Sequence, residues 1–423
     1  MPDRPLTRSE RLTRRLLAEL AQASADPPGV TREAYGAREQ GAHDRVRREG
    51  EALGALARVD AAGNLYLTLP GHERGLPALV IGSHLDSVPH GGNYDGAAGV
   101  LAGLAVLSDL AEARFVPRRD LVVMAIRAEE AAWFPLSYPG SEAALGRLPP
   151  AALEARRSDT GRTLGQHMLE AGFDPEPIRR GVPQIPAGAI AAFVEVHIEQ
   201  GPRLLAKGCP VGLVTAIAGG VRHVDAACFG AYGHSGAEPR FARRDAVLGF
   251  TDLVRGLEAE WDALEAEGSE ATITIGRVES DPTQHGGSRV LGELRFTLDL
   301  RSEHQAVLDR LRASLRRICA EVATRRGVRF ELGPAFTWAP ARMAPGLVDR
   351  LEAAAVRAGL PAPRLPSGAG HDAAAFAGAD VPSAMVFVRN RNGSHNPDES
   401  MDAADLDAAV RLLVQFVTTF DET

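Results

Sequence analysis

The sequence predicts an α/β protein. A doubly wound, mixed-sheet domain carries the candidate catalytic residues, and a smaller ferredoxin-like α+β domain is inserted into it. Three observations predict this. Four short apolar runs read as strands buried on both faces: ALVI at Ala78 to Ile81, DLVVMAIR at Asp120 to Arg127, AAFVEVH at Ala191 to His197 and VPSAMVFV at Val381 to Val388. Apolar segments of helical period accompany them, as in an open α/β sheet. From about Val211 the pattern changes to strand-like runs and two long helices, which suits a separate α+β unit. Residues 1–210 and 335–423 are therefore assigned to the main domain, and 211–334 to the insert.

The elements follow in order. Ser9 to Ala21 places leucines at 12, 16, 17 and 20, an amphipathic helix. Thr31 to Ala52 is charged, with few large apolar residues, and reads as a mostly exposed helix. Ala57 to Gly71 alternates apolar residues around a Gly-Asn turn, a hairpin. After the first buried strand, GSHLDSVPHGGNYDGAAGV (Gly82 to Val100) runs through a glycine-rich turn into a helix with Asp95 at its first turn. A helical portion spans Thr163 to Ala171. The insert reads as strands at 211–217 and 222–230, a helix at Ala242 to Leu264, strands at 271–279 and 289–300, a helix at Glu303 to Arg326 and a strand at 328–333. In that last helix Leu308, Leu311, Leu315, Ile318 and Val322 share one face. Ala335 to Pro345 reads as a return linker, Gly346 to Gly359 as a helix and Asp402 to Phe420 as a terminal helix.

Composition excludes several classes. Of 423 residues, 45% are hydrophobic and 24% charged, which supports a packed core and argues against disorder. The net charge of −8 offers no basic surplus for nucleic acid. Three cysteines, Cys209, Cys228 and Cys319, have no paired spacing, which points to a reducing, cytoplasmic compartment. No apolar run approaches the ~18 residues of a membrane span.

Each buried strand delivers ligand-type side chains at or just past its carboxyl end. They are His84 and Asp86, then Glu129 and Glu130, then His197, then the loop holding His395. In open α/β sheets ligands bind at that rim. Imidazoles with carboxylates suit zinc or a similar divalent ion, and this number suits two ions. Paired metals polarise a carbonyl and activate water, and a carboxylate must still move the proton. Because Glu129 and Glu130 are neighbours, one can bind metal while the other faces substrate. Of the other histidines, His43, His72, His167 and His304 lie in polar surroundings and read as surface. His90, His223 and His285 are undecided, and His371 opens a helix from which it can touch the site.

The motifs GSHLDSVPHGGNYDGAAGV, AEEAAWF, EVHIEQGP, GHSGAEP, RRDA, FTLDLR, SGAGHDAAAF and GSHNPDES, spread from Gly82 to Ser400, resemble those of hydantoinase/carbamoylase-type amidases. These belong to the dinuclear zinc peptidase and amidase superfamily, with N-carbamoyl-L-amino-acid amidohydrolases, β-ureidopropionases and allantoate amidohydrolases among them. The resemblance implies hydrolysis of a linear C–N bond in an N-carbamoyl or N-acyl amino acid. The alternatives are an aminopeptidase or dipeptidase of the same superfamily, or a non-catalytic relative that keeps the fold.

The resemblance implies two divalent ions per subunit, zinc or else manganese, cobalt or nickel. His84 and His197 would hold one and Glu130 and His395 the other, with Asp95 between them. It makes Glu129 the general base and gives Asp86 the task of fixing the His84 tautomer. Gln200, with the backbone of Gly368, Ala369 and Gly370, would contact substrate. Arg301 would clamp a substrate carboxylate. His234 would stabilise the oxyanion from the partner subunit, so the insert would be a dimerisation and lid domain and the protein a homodimer. Ala131, Ala132, Trp133, Glu238, Arg240 and Ser288 stand where the family carries other residues. Ser288 replaces an asparagine upstream of Arg301. These positions are expected in or near the substrate pocket.

Overall fold

A computed structural model describes residues 5–186 and 188–422. The chain forms two compact units: Met1–Thr215 with Arg342–Leu365 and Gly370–Thr423, and Ala216–Ala341 with Pro366–Ala369. The divisions fall at 215/216 and 341/342 rather than at 210/211 and 334/335. The Val211–Ile217 strand, expected in the insert, pairs antiparallel with Ser383–Val388 of the first unit's sheet.

The first unit is built on a mixed sheet. Four strands run parallel in the order Ser383–Val388, Ile190–Ile198, Ala78–His84 and Leu121–Ile126. These coincide with the four apolar runs of the sequence to within two residues at either end, save that the Ala78–His84 strand continues from Ile81 to His84. Antiparallel strands extend the sheet at both edges, Val211–Ile217 on one side and the Leu56–Val59/Leu65–Leu69 hairpin on the other. Parallel strands need cover on both faces. The Ala97–Glu112 helix supplies part of it. Its residues are small or apolar nearly all round, and it packs against the sheet, the Arg8–Ala23 helix and the Ala403–Thr418 helix. Leu12, Leu16, Leu17 and Leu20 are buried on the Arg8–Ala23 helix, and a reciprocal Thr7–Glu10 cap starts it.

Several expectations fail on burial. The charged segment after Thr31 becomes helical only at Ala37–Ala52, and Glu39, Ala42, His43 and Val46 on it are buried. His43 and His167, read as surface, are each 3% exposed. Their polar sequence neighbours hide that both face the core. Trp133, expected by the substrate pocket, is 5% exposed in a cluster with Tyr35, Phe134 and Leu153, and its indole N–H donates to the Ser87 carbonyl at 2.8 Å.

In the second unit, Gly219–Phe229 pairs antiparallel with Glu293–Ser302, Arg329–Glu331 and Ala335–Trp338. Glu293–Ser302 also pairs with Thr272–Thr274 and Val278–Glu279. Counting the four main strands in chain order, the sheet reads 2-3-1-4, with one long helix in each crossover. That is the ferredoxin-like arrangement. The helices Ala246–Ala266 and Gln305–Arg326 bury Leu253, Leu257, Leu311, Leu315 and Ile318 against Phe296 and Leu298. The expected linker at 335–345 is thus partly strand. A four-residue strand has no local period long enough to announce itself, and its partner lies far away in sequence. Among the described residues no helix is long and apolar enough to cross a membrane, and the three cysteines are free.

Candidate metal centre

Parallel pairing sends the carboxyl ends of four strands to one rim, and each brings a ligand. His84 ends its strand and His197 lies one residue from the end of its own. Glu129 and Glu130 follow Ile126, and His395 sits on the loop after Val388. Asp95 arrives on the turn before the Ala97–Glu112 helix. Gly96 beside it has φ +64°, and a Cβ there would overlap the His84 ring, so glycine is required both for the turn and for the imidazole.

The five side chains form two groups that share one carboxylate. Asp95 Oδ1 lies 2.9 Å from His197 Nε2 and 3.4 Å from His84 Nε2. Asp95 Oδ2 lies 3.3 Å from His395 Nε2, which is 3.3 Å from Glu130 Oε1. His84, Asp95 and His197 can thus converge on one cation, and Asp95, Glu130 and His395 on another. Buried polar atoms are nearly always hydrogen-bonded, yet Asp95 Oδ1 and Glu130 Oε1 have no hydrogen-bond partner. Three imidazoles and two carboxylates with such orphaned oxygens fit divalent cations.

Neighbouring groups orient this set. The His84 Nδ1 atom lies 3.1 Å from the Asp86 carbonyl and 3.3 Å from its Oδ1. His197 Nδ1 lies 2.8 Å from the Ile198 carbonyl. Each ring's outward nitrogen thus faces an acceptor, which turns Nε2 toward Asp95 as a lone pair in the neutral ring. The Gln200 amide donates to Asp95 Oδ2 at 2.8 Å, and so does the Ser394 hydroxyl at 2.6 Å. Glu399, which sequence reasoning missed, accepts from the backbone N–H groups of Tyr94 and Asp95. Glu399 stands in the quoted GSHNPDES motif but has no strand end to mark it.

Protonation in the metal-free site follows from crowding. Burial raises Asp95, but His197, His395 and His84 outweigh it and hold the carboxyl well below its ordinary value. The carboxylates of Asp95 and Glu130, each 3.3 Å from its Nε2, push His395 up to about 11. Burial pushes Glu129 well above the carboxylate range; Glu130, Asp372 and Asp86 add to this and His84 opposes it. Glu129 Oε2 lies 4.0 Å from His84 Nε2, beside the first group. Burial and the adjacent Glu195 carry Asp372 to about 8. Burial and His197 hold His371 well below its ordinary value, favouring the neutral ring.

The sequence pattern of peptidase family M20/M25/M40 matches residues 80–419, most of the chain. The chain belongs to this family. It is 35% identical over 416 residues to an N-carbamoyl-L-amino acid amidohydrolase of Geobacillus stearothermophilus, covering 97% of this chain and 98% of that one. It is 32% identical to an allantoate amidohydrolase of Bacillus subtilis, over 93% of each. A crystal structure of a hydantoinase/carbamoylase family amidase from Burkholderia ambifaria superposes with a TM-score of 0.85, at 31% identity and 97% of each chain. Divalent metal use accords with this family and with the two clusters.

The remaining candidate residues divide between the units. Gly370 lies in the first, where any side chain on it would overlap the Tyr138 hydroxyl. The second unit carries the others. Arg301 bonds Asp299 side-on, Nε to Oδ1 at 3.0 Å and Nη2 to Oδ2 at 3.1 Å, while Nη1 donates to the Gly368 carbonyl at 2.8 Å. Asp299 also accepts from Arg222. One N–H on each terminal nitrogen of Arg301 remains for an end-on ligand. Ala369 N donates to the Ser367 hydroxyl. Ser288 is exposed, and its carbonyl accepts from Ser235 N. His234 is exposed, and its Nδ1 accepts from the Gly236 N–H at 3.2 Å, so the neutral ring carries its proton on Nε2.

Proposed function

We propose that the protein is a dinuclear-metal amidohydrolase that cleaves the linear C–N bond of an N-carbamoyl or N-acyl amino acid with water. The observation that carries this is Asp95, one oxygen toward His84 and His197 and the other toward His395. The names of the relatives from G. stearothermophilus and B. subtilis support the substrate class, a carbamoyl or ureido compound. In this reading His84 and His197 would hold one cation and Glu130 and His395 the other, zinc, manganese, cobalt or nickel, and Asp95 would serve both groups. Such cations supply Lewis-acid polarisation of the carbonyl and make water acidic near neutral pH.

The chain's own residues do the rest. Glu129, beside the first group with Oε2 4.0 Å from His84 Nε2, accepts a proton from the attacking water and delivers it to the leaving nitrogen. Gln200 Oε1 is buried without a hydrogen-bond partner and offers an acceptor to the N–H of a carbamoyl or ureido group. Arg301, its Nε edge held by Asp299, presents its end to the substrate carboxylate. His234 donates from Nε2 to the developing oxyanion, contributed by the partner subunit of a cytoplasmic homodimer.

Mass-spectrometric screening of metal-loaded protein against N-carbamoyl, N-acyl and dipeptide panels tests the reaction. Fastest release from N-carbamoyl or N-acyl amino acids is expected, and it should vanish in Glu129→Gln. Preference for dipeptides would replace the reading by a peptidase. No turnover at stoichiometric metal would replace it by a binding protein. Mixing inactive His234→Ala subunits with inactive Glu129→Gln subunits tests the partner's role. Activity returns if His234 acts across subunits, because one site of the mixed dimer then carries neither defect. No recovery despite exchange, or a monomer at working concentration, would end that part.

A further inference from the structure

Three consecutive backbone amides at the turn carrying Glu129 and Glu130 end on buried carboxylates. Ala128 N–H donates to Glu39 Oε1 at 3.3 Å. Glu129 N–H and Glu130 N–H donate to Asp86 Oδ1 and Oδ2, each at 3.1 Å. Ala128 has φ +55°, the left-handed region that residues with a Cβ seldom hold. The turn therefore needs external support, and the two glutamates that follow it aim at different groups: Glu129 Oε2 lies 4.0 Å from His84 Nε2 and Glu130 Oε1 3.3 Å from His395 Nε2.

Asp86 belongs to the metal rim, but Glu39 does not. It comes from the first turn of the Ala37–Ala52 helix, 0% exposed. Its second oxygen accepts from Tyr35 N–H at 2.6 Å and from Arg127 Nη1 at 2.8 Å. Arg127 is fixed in turn. Its Nε donates to the Gly63 carbonyl at 2.9 Å, its backbone N–H to Asn64 Oδ1 at 3.0 Å, and its guanidinium lies 4.8 Å from the Phe173 ring centre. A buried ion pair is a poor means of stabilising a fold, because apolar side chains of equal volume do as well. This one holds the amino side of the strained residue, through the Arg127 side chain before it and the Ala128 N–H itself.

We propose that Glu39 is a positioning residue for the site: by accepting from Ala128 N–H it holds the left-handed turn that separates Glu129 from Glu130. The proposal rests on the reading of Glu129 as base and Glu130 as ligand. It assigns Glu39 no contact with substrate or cation. Loss of the acceptor should let the turn relax, lowering the fraction of molecules with both carboxylates correctly aimed, while the substrate-binding groups stay as they are.

Two double variants isolate the acceptor from the charge. Glu39→Gln/Arg127→Met keeps one carbonyl oxygen within reach of Tyr35 N–H and Ala128 N–H, and Glu39→Met/Arg127→Met removes both acceptors. Both lose the ion pair. We expect the first to keep kcat within about threefold of wild type. The second should lose at least tenfold in kcat with KM within twofold, and should bind its weaker manganese ion less tightly by calorimetry. Equal losses in both variants would assign the effect to the ion pair and overturn the proposal, as would no loss in the second. If either fails to fold, Glu39→Asp decides by the same readouts. One methylene shorter, it should not reach both Arg127 and Ala128 N–H, and full kcat with unchanged manganese affinity would again overturn the proposal. Glu129→Gln is run alongside. If that variant stays active the reading of the base is wrong; if it is dead while the Glu39 variants are normal, only this inference fails.

Discussion

Asp95 and His234 are surrounded in opposite ways. The Asp95 carboxyl is 3% exposed and faces three imidazoles, an amide and a hydroxyl. His234 is exposed on a two-residue strand of the second unit, Gly233–His234, and its ring accepts from a neighbouring backbone N–H. The difference runs through both units. Side chains that would hold cations are set by a parallel sheet and its turns, before anything binds. Of those that would handle substrate, His234 and Ser288 are exposed, whereas Arg301 is aligned by Asp299 and the Gly368 carbonyl. Preorganised groups cost little at the moment of binding, whereas mobile ones must be ordered by the ligand. Substitutions of the ligand side chains should therefore act on metal content, and substitution of Arg301 on substrate recognition.

The largest effect should come from Glu129→Gln. The amide is nearly isosteric but cannot take the water proton, and general-base work is worth roughly 10²–10⁴-fold in rate. Turnover should fall by that much while elemental analysis still finds the wild-type metal content. A variant within threefold of wild type would move the base elsewhere, and lost metal would show that Glu129 belongs to the ligand set.

Next in size, Arg301→Lys should raise KM by about 10- to 150-fold for a free acid, the loss of one charge-assisted hydrogen bond of roughly 1.5–3 kcal/mol. The esterified analogue should change little, and metal content not at all. Equal losses on acid and ester would refute the carboxylate pairing.

The mildest test is pH. His395 is pushed up to about 11 by Asp95 and Glu130, so near neutral pH the metal-free site holds a proton there. A cation must displace it. Metal affinity should therefore fall as pH falls, by up to about tenfold per unit for each proton released. Calorimetric titration in buffers of different ionisation enthalpy measures that release. Heats independent of buffer would mean that the ring is already neutral.

The metal rim was legible because parallel strands buried on both faces must be continuous apolar runs, and ligands standing at their ends are visible without any tertiary knowledge. The Ala97–Glu112 helix and the Leu308 to Val322 stripe were legible for the same local reason. What escaped depends on partners far away in sequence. Glu39 looks like one more solvated charge, since nothing near it announces Arg127 or Ala128 N–H. His43 and His167 lie among polar residues yet face inward. Trp133 was expected at the pocket but packs in the core, with its N–H on Ser87. Ala335–Trp338 is a strand only by pairing with Gly219–Phe229.

The position of the second unit within the chain sets an order of assembly. His84, Asp95, Glu129, Glu130 and His197 all precede Ala216, whereas His395 follows the return at Arg342. Domains tend to form as the chain emerges, amino-terminal parts first. During synthesis the residues of the first group are therefore complete before the ferredoxin-like unit has been made. The second group lacks its last imidazole until after that unit, because the neighbouring strand Ser383–Val388 arrives with the final stretch of chain. The two candidate groups are thus completed from opposite ends of the sequence: His84, Asp95 and His197 are made early, and His395 joins Asp95 and Glu130 only after the chain has returned to the first unit.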